Sequence, residues 1–219
     1  MRKVPRGIGF ANRQFVKLRF IDTLKNLVTW DGASKVQPAG VGNAYNINSI
    51  YSLQTSGVLP CIIPGREEYA RMYGRFRVHA ASVKIRVENL VDYPVKVLMH
   101  FQNEIHPSSF TTWENVMRFV GNKNTYVSTV SAKGGVDRGF VKGFCKMKYL
   151  YGSPKTYAID LNTAGLTSIG TGGSDPAVQF TMYIWCLSVS GQNVPSGYTV
   201  LDTQITLYVE FFDRNDVNV

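Results

Sequence analysis

The sequence predicts an all-β protein, a single eight-stranded antiparallel jelly roll made of two packed sheets, and three observations predict it. Eight segments carry the period-two patterning or β-rich composition of strands, at about residues 15–28, 44–53, 75–88, 94–102, 124–131, 140–150, 178–190 and 199–213. The stretches between them (29–43, 54–65, 103–112, 132–139 and 152–177) are long and rich in Gly, Pro, Asn and Ser. Only two short stretches have helical spacing. Eight strands with one or two short helices in 219 residues suit a two-sheet sandwich, although an eight-stranded closed barrel satisfies the same periodicity.

In chain order, residues 1–14 set Pro5, Gly7 and Gly9 among Arg2, Lys3, Arg6 and Arg13 and read as a short basic N-terminal arm. Residues 15–219 read as one domain, with no internal repeat and no break in composition. The first strand contains Val16-Lys17-Leu18-Arg19-Phe20, the third Val83-Lys84-Ile85-Arg86-Val87 and the sixth Cys145-Lys146-Met147-Lys148-Tyr149. Successive side chains of a strand point to opposite faces, so each of these has one apolar face and one cationic face. Residues 94–102 and 201–212 alternate most clearly, the latter with Leu201, Ile205, Leu207, Val209 and Phe211 on one side. Arg66–Tyr73 has acidic residues suited to a helix start. In residues 109–121, Thr111 and Glu114 have capping-box spacing, and Trp113, Val116, Met117 and Val120 form an apolar stripe.

The chain carries a formal charge of +9, unevenly spread. Residues 1–25 hold seven of the 24 basic side chains against Asp22 alone. A half-buried strand needs only a polar outer face, which Thr or Ser would provide. Lys and Arg on three such faces, together with a basic end, point to an anionic polymer as partner. Phe15, Phe20, Tyr149 and Tyr208 lie near those cations and are candidates for stacking on unpaired bases, with core packing as the alternative role.

Other classes find little support. His79, His100 and His106 are the only imidazoles and have no metal-ligand spacing, no nucleophile elbow or P-loop occurs, and neither enzyme activity, cofactor nor metal site is expected. Cys61, Cys145 and Cys186 have no C-x-x-C spacing, and Cys145 and Cys186 read as small core residues. With no glycosylation sequon, no signal-peptide pattern and no run long enough to span a bilayer, the expectation is a soluble, unsecreted protein from a reducing compartment. The Asp-containing stretches 172–176 and 213–216 read as turns in preference to calcium loops. Trp185 reads as core, whereas Trp30 and Trp113 border loops and are candidate subunit-interface anchors.

Three segments carry a family resemblance. Tyr69–Asn89 joins spaced tyrosines to a basic strand, a small-residue break and a second basic strand. Lys142–Ser153 is a basic strand closing on Tyr-Gly, and Ile205–Asp216 is a terminal strand ending in an aromatic pair and Asp-Arg. The pattern resembles the capsid proteins of circovirus-like viruses, whose circular single-stranded DNA genomes encode a replication initiator. That resemblance implies a jelly roll with sheets ordered B-I-D-G and C-H-E-F, and an icosahedral T=1 shell of about sixty copies around single-stranded DNA. It places Lys17 and Arg19 on strand B, Lys84 and Arg86 on D, and Lys146 and Lys148 on G, all in one sheet. Strand I between them offers Gln204, Thr206 and Tyr208, with Glu210 as its acid. A bulge in strand G would exchange its faces.

The resemblance thus implies sequence-independent DNA binding by Arg2, Lys3, Arg6, Arg13, Lys17, Arg19, Lys84, Arg86, Lys146 and Lys148. The implied partners are further copies of the chain, the genome and a host attachment receptor such as a sulfated glycan, with no membrane insertion. The implied locations are the virion and the interior of the host cell, including the nucleus. The arm lacks the long arginine-rich run common in that family, which puts nuclear import through it in doubt. Two alternatives stand beside this reading: a capsid protein of a small RNA or satellite virus, and a trimeric jelly-roll module binding a receptor or glycan.

Overall fold

Nine strands pair into two sheets in the computed structural model, which describes residues 12–24, 44–53, 63–103, 120–168, 173–188 and 199–214. The strands are β1 (Gln14–Leu24), β2 (Ala44–Asn46), β3 (Tyr73–Asn89), β4 (Val95–Gln102), β5 (Thr125–Val130), β6 (Arg138–Lys146), β7 (Gly165–Leu166), β8 (Thr181–Ser188) and β9 (Thr199–Arg214). One sheet has the order β1-β9-β3-β6, with the short β7 also on β3, and the other has the order β2-β8-β4-β5. Setting aside β7, these are the B-I-D-G and C-H-E-F orders. Among the described residues every pairing is antiparallel, and none joins one sheet to the other. The fold is therefore a jelly roll and not a closed barrel.

The alternation seen in the sequence is what packs the sheets together. Val83, Ile85 and Val87 of β3 and Leu201, Ile205 and Leu207 of β9 face Val97 and Met99 of β4 and Met182 and Ile184 of β8, all of them buried. Gly139 and Gly143 of β6 lie directly against side chains of the other sheet, Val130 and Met99 among them. A Cβ on Gly143 would sit 2.4 Å from Met99 Cε. Cys145 and Cys186 are buried in this core, and burial raises the Cys145 thiol to about 12.

Several expectations are corrected. The sixth strand stops at Lys146, because Met147–Leu150 turns into a short helix, α2, that buries Met147 and Leu150 one turn apart. The stretch 152–177 is not plain loop: it contains α3 (Pro154–Ile159, with Pro154 in the first turn), a 3₁₀ turn (Leu161–Thr163) and β7. The strand at 44–53 shortens to Ala44–Asn46, after which the chain reverses through the Asn46 N–H to Leu53 carbonyl bond of 2.7 Å. Helix α1 (Arg66–Met72) forms as anticipated, entered through Gly65 at φ 81°. The anticipated helix at 109–121 lies almost wholly outside the described residues, as do Trp30, Trp113, Cys61 and His106.

The bulge lies in β3 and not in the sixth strand. The pairing of β3 with β9 shifts between Val78 and Ala80, so His79 is the extra residue. The inward positions change parity there, from Phe76 and Val78 before the bulge to Ala81, Val83 and Ile85 after it. As a result Arg75, Arg77, Lys84 and Arg86 all project from the outer face of the β1-β9-β3-β6 sheet.

Candidate nucleic-acid interface

Antiparallel partners share a face, so the registers lay out the outer surface of this sheet row by row. Lys17 pairs with Tyr208, which pairs with Ala80, which pairs with Lys146. The next row runs Arg19, Thr206, Ser82, Phe144, and the third runs Ile21, Gln204, Lys84, Lys142. Asp202, Arg86 and Phe140 form a fourth, and Glu88 and Arg138 close the surface with an ion pair of 3.1 Å. Lys17, Arg19, Lys84, Arg86, Lys142 and Lys146 are all exposed. Strands distant along the chain therefore converge into one cationic surface. Its acids are Asp202, opposite Arg86, and the paired Glu88. Asp202 corrects the expectation that Glu210 is the only acid on the outer side of that strand.

The lysines lie against aromatic rings. Lys17 Nζ is 5.4 Å from the Tyr208 centroid, Lys84 Nζ 4.5 Å from that of Phe140, and Lys146 Nζ 5.8 Å from that of Tyr149. Such contacts fix an ammonium group near a flat apolar surface without neutralising it. Phe140, Phe144 and Tyr149 are about half exposed or more, and Phe144 meets Tyr208 edge-on at 6.1 Å. Phe15 is exposed beside His79, whereas Phe20 packs against the core and is unavailable for stacking.

Not every anticipated residue joins this surface. Lys148 lies on α2, half-buried, with Nζ 5.2 Å from the Tyr149 ring, because the strand has already ended. Arg13 is tied to the buried Glu210, Nη1 to Oε1 3.0 Å, and His79 Nε2 approaches the other oxygen at 2.8 Å. Arg2, Lys3 and Arg6 lie outside the described residues. Lys142, Phe140 and Phe144 were missed, although the run Phe140-Val141-Lys142-Gly143-Phe144-Cys145-Lys146 announces them with the same period of two.

The rest of the outer face is covered. Arg77 is buried and donates to Thr163 Oγ1 at 3.1 Å, the Ala158 carbonyl at 2.6 Å and the Asp160 carbonyl at 3.1 Å. Tyr157 adds a hydrogen bond to the Val78 carbonyl, and burial pushes its phenol up. The Tyr151 hydroxyl donates to Asp160 at 2.6 Å, which is the main reason this carboxyl is held below its usual range, helped by the Asn162 backbone N–H. α3 and the 3₁₀ turn thus cap one end of the sheet and leave the cationic end open. Among the described residues the opposite sheet presents no comparable surface: its outer side carries the half-buried Lys96, while Leu98, His100, Tyr183 and Trp185 there are all buried.

His79 is engaged with Glu210, and His100 Nδ1 with Thr125 Oγ1 at 2.8 Å. No group of three or more metal-binding side chains occurs among the described residues, and no helix there is long and apolar enough to cross a membrane. Asp175 and Asp213 bond to Ser49 and Arg75 respectively, fastening loops to the body of the fold.

No protein-family profile matches the chain, and no curated protein sequence does. Solved structures do. The semi-empty virus-like particle of the prawn Macrobrachium rosenbergii nodavirus is similar at 11% identity and TM-score 0.46, over 93% of this chain and 95% of that one. Cocksfoot mottle virus is similar at 9% identity and TM-score 0.47, over 92% and 97%. Desmodium yellow mottle tymovirus is similar at 13% identity and TM-score 0.41, over 98% and 95%. Likeness at such identities is a likeness of fold: the jelly roll of viral capsid proteins. These neighbours are RNA virus capsids, which contradicts the resemblance to circovirus-like capsid proteins and the single-stranded DNA cargo it implied, and they give no support to nuclear assembly.

Proposed function

We propose that this chain is the capsid protein of a small RNA virus, which assembles into a closed icosahedral shell and holds single-stranded RNA by contacts that do not read sequence. The observation that carries the proposal is the shared outer face of β1, β3 and β6, with Lys17, Arg19, Lys84, Arg86, Lys142 and Lys146 side by side. Contacts of this kind bind phosphates through charge and counterion release, and rings among the cations offer stacking to any base. In the shell this face looks inward, and Arg2, Lys3 and Arg6 add their charge to the same cargo.

Assembly also needs apolar surface that a lone subunit leaves uncovered. Ile159 at the end of α3, Leu161 in the 3₁₀ turn and Leu166 on β7, at 78%, 59% and 50% exposure, supply it. The test is expression of the chain, electron microscopy of the product, and digestion of its extracted nucleic acid with RNase and with DNase. Closed particles containing RNase-sensitive material are expected. A subunit that never assembles across salt and pH, or particles holding only DNA, would overturn the proposal.

A further inference from the structure

Lys84 and Lys142 are direct cross-strand partners on the open face, and neither makes an ion pair with a described residue. Like charges placed opposite each other in a sheet oppose folding. Both ammonium groups lie by the Phe140 ring, 4.5 Å and 6.0 Å from its centroid, which holds them in place without neutralising either, so the pair is free to meet an anion. Beside the pair the surface sinks into a depression of about 480 Å³ lined by Lys84, Lys142, Phe144, Ser82, Gln204 and Thr206. That volume is within the range of small-ligand sites.

The chemistry of the walls is divided. Two ammonium groups stand on one side, and the half-exposed Phe144 ring stands two residues along β6 from Lys142. The floor carries two hydroxyls and a carboxamide, each able to donate and to accept. The geometry points to a discrete subsite for one nucleotide of single-stranded RNA: the phosphate between Lys84 and Lys142, the base against Phe144, and the sugar and base edge over Ser82, Thr206 and Gln204. The inference rests on the proposed RNA-holding role of this face and goes beyond it, since a diffuse cationic surface needs no base at all. Because the floor groups both give and accept hydrogen bonds, any of the four bases fits.

The test uses the whole chain as dissociated subunits, a fluorescent hexauridylate and the same hexamer made abasic. Anisotropy titrations should show hexauridylate binding about tenfold more tightly than the abasic strand, the increment expected of one stacked base. Phe144→Ala should erase that difference and leave abasic binding unchanged. Lys142→Gln should reduce the slope of log affinity against log salt by ~0.7 for both strands. It should also melt at or above the temperature of the unsubstituted chain, because it relieves the opposed charges. Lys155→Gln, an exposed change on α3, should alter none of these. Equal affinity for the two strands, indifference to Phe144→Ala, or a lower melting temperature for Lys142→Gln would overturn the subsite while leaving the electrostatic face standing. Failure of both strands to bind at low salt would overturn the RNA-holding reading itself.

Discussion

His79 Nε2 lies 2.8 Å from Glu210 Oε2 at the point where β3 and β9 slip register. The same carboxylate receives Arg13 Nη1 at 3.0 Å on its other oxygen, so one buried acid joins the entry of β1 to the bulge. Its own side chain is only 4% exposed, whereas Arg13 is 69% exposed and solvent screens its charge. Glu210→Gln should therefore cost about 1–2 kcal/mol, measured by urea denaturation, mainly through the weakened bonds at the carboxyl group. Arg13→Ala should cost much less. Equal losses would mean that the exposed arginine contributes as much as the buried acid.

Gly143 is required by the spacing of the sheets. An added Cβ would meet Met99 Cε at 2.4 Å, Tyr126 Cδ2 at 2.9 Å and Phe101 Cε2 at 3.0 Å. The end of Met99 can move, but the two rings are held edge to face at 5.9 Å. Gly143→Ala should destabilise the chain by about 1–3 kcal/mol, as overpacked cores do, and Gly143→Val by more. A thermal melt of both variants checks the order. A neutral valine would show that β6 is free to move away from β4 and β5.

Cys145 lies on the same strand, and burial lifts its thiol from 9.0 to about 12. A group raised in the folded state contributes stability that is complete below its unfolded value and is lost as pH rises toward the folded one. That contribution should therefore disappear between about pH 9 and pH 12, and Cys145→Ala should remove this part of the alkaline loss. The folded chain should resist iodoacetamide at Cys145 at pH 8 and react once denatured, read by mass spectrometry of the tryptic peptide 143–146. Fast labelling of the folded chain would contradict the burial.

Strand positions were legible because each sheet has one face in a common core, which writes a period of two into β1, β3, β4, β6 and β9. Legibility failed where that period continued past the end of its strand. Lys146-Met147-Lys148-Tyr149 still alternates, yet Met147 and Leu150 are buried three residues apart and the backbone has become helical. The bulge at His79 left only the small pair Ala80-Ala81 as a trace. The role of Arg77 was beyond local reading altogether, since its acceptors on Ala158, Asp160 and Thr163 arrive from about eighty residues further on. Such a surface does not tell RNA from DNA either, because a lysine meets the same phosphate in both.

Arg77 and Arg19 project from the same face and should behave in opposite ways. Arg77 is buried beneath α3 and the 3₁₀ turn, where its guanidinium satisfies one hydroxyl and two carbonyls. Removing it leaves the two carbonyls short of a charged donor, so Arg77→Ala should lower stability by about 2–4 kcal/mol. It should also loosen the cap over the sheet, while the salt slope of RNA binding stays as it was. Arg19 is exposed in the open row beside Thr206, with its charge directed at solvent. Arg19→Ala should leave the melting temperature unchanged and reduce the salt slope by ~0.7, the effect of losing one phosphate contact to a single strand. Parallel melts and salt titrations of the two variants separate the arginine that builds the face from the one that uses it. If Arg77→Ala changed the salt slope as much as Arg19→Ala, the covered end of the sheet would belong to the binding surface, and the boundary drawn by α3 would be wrong.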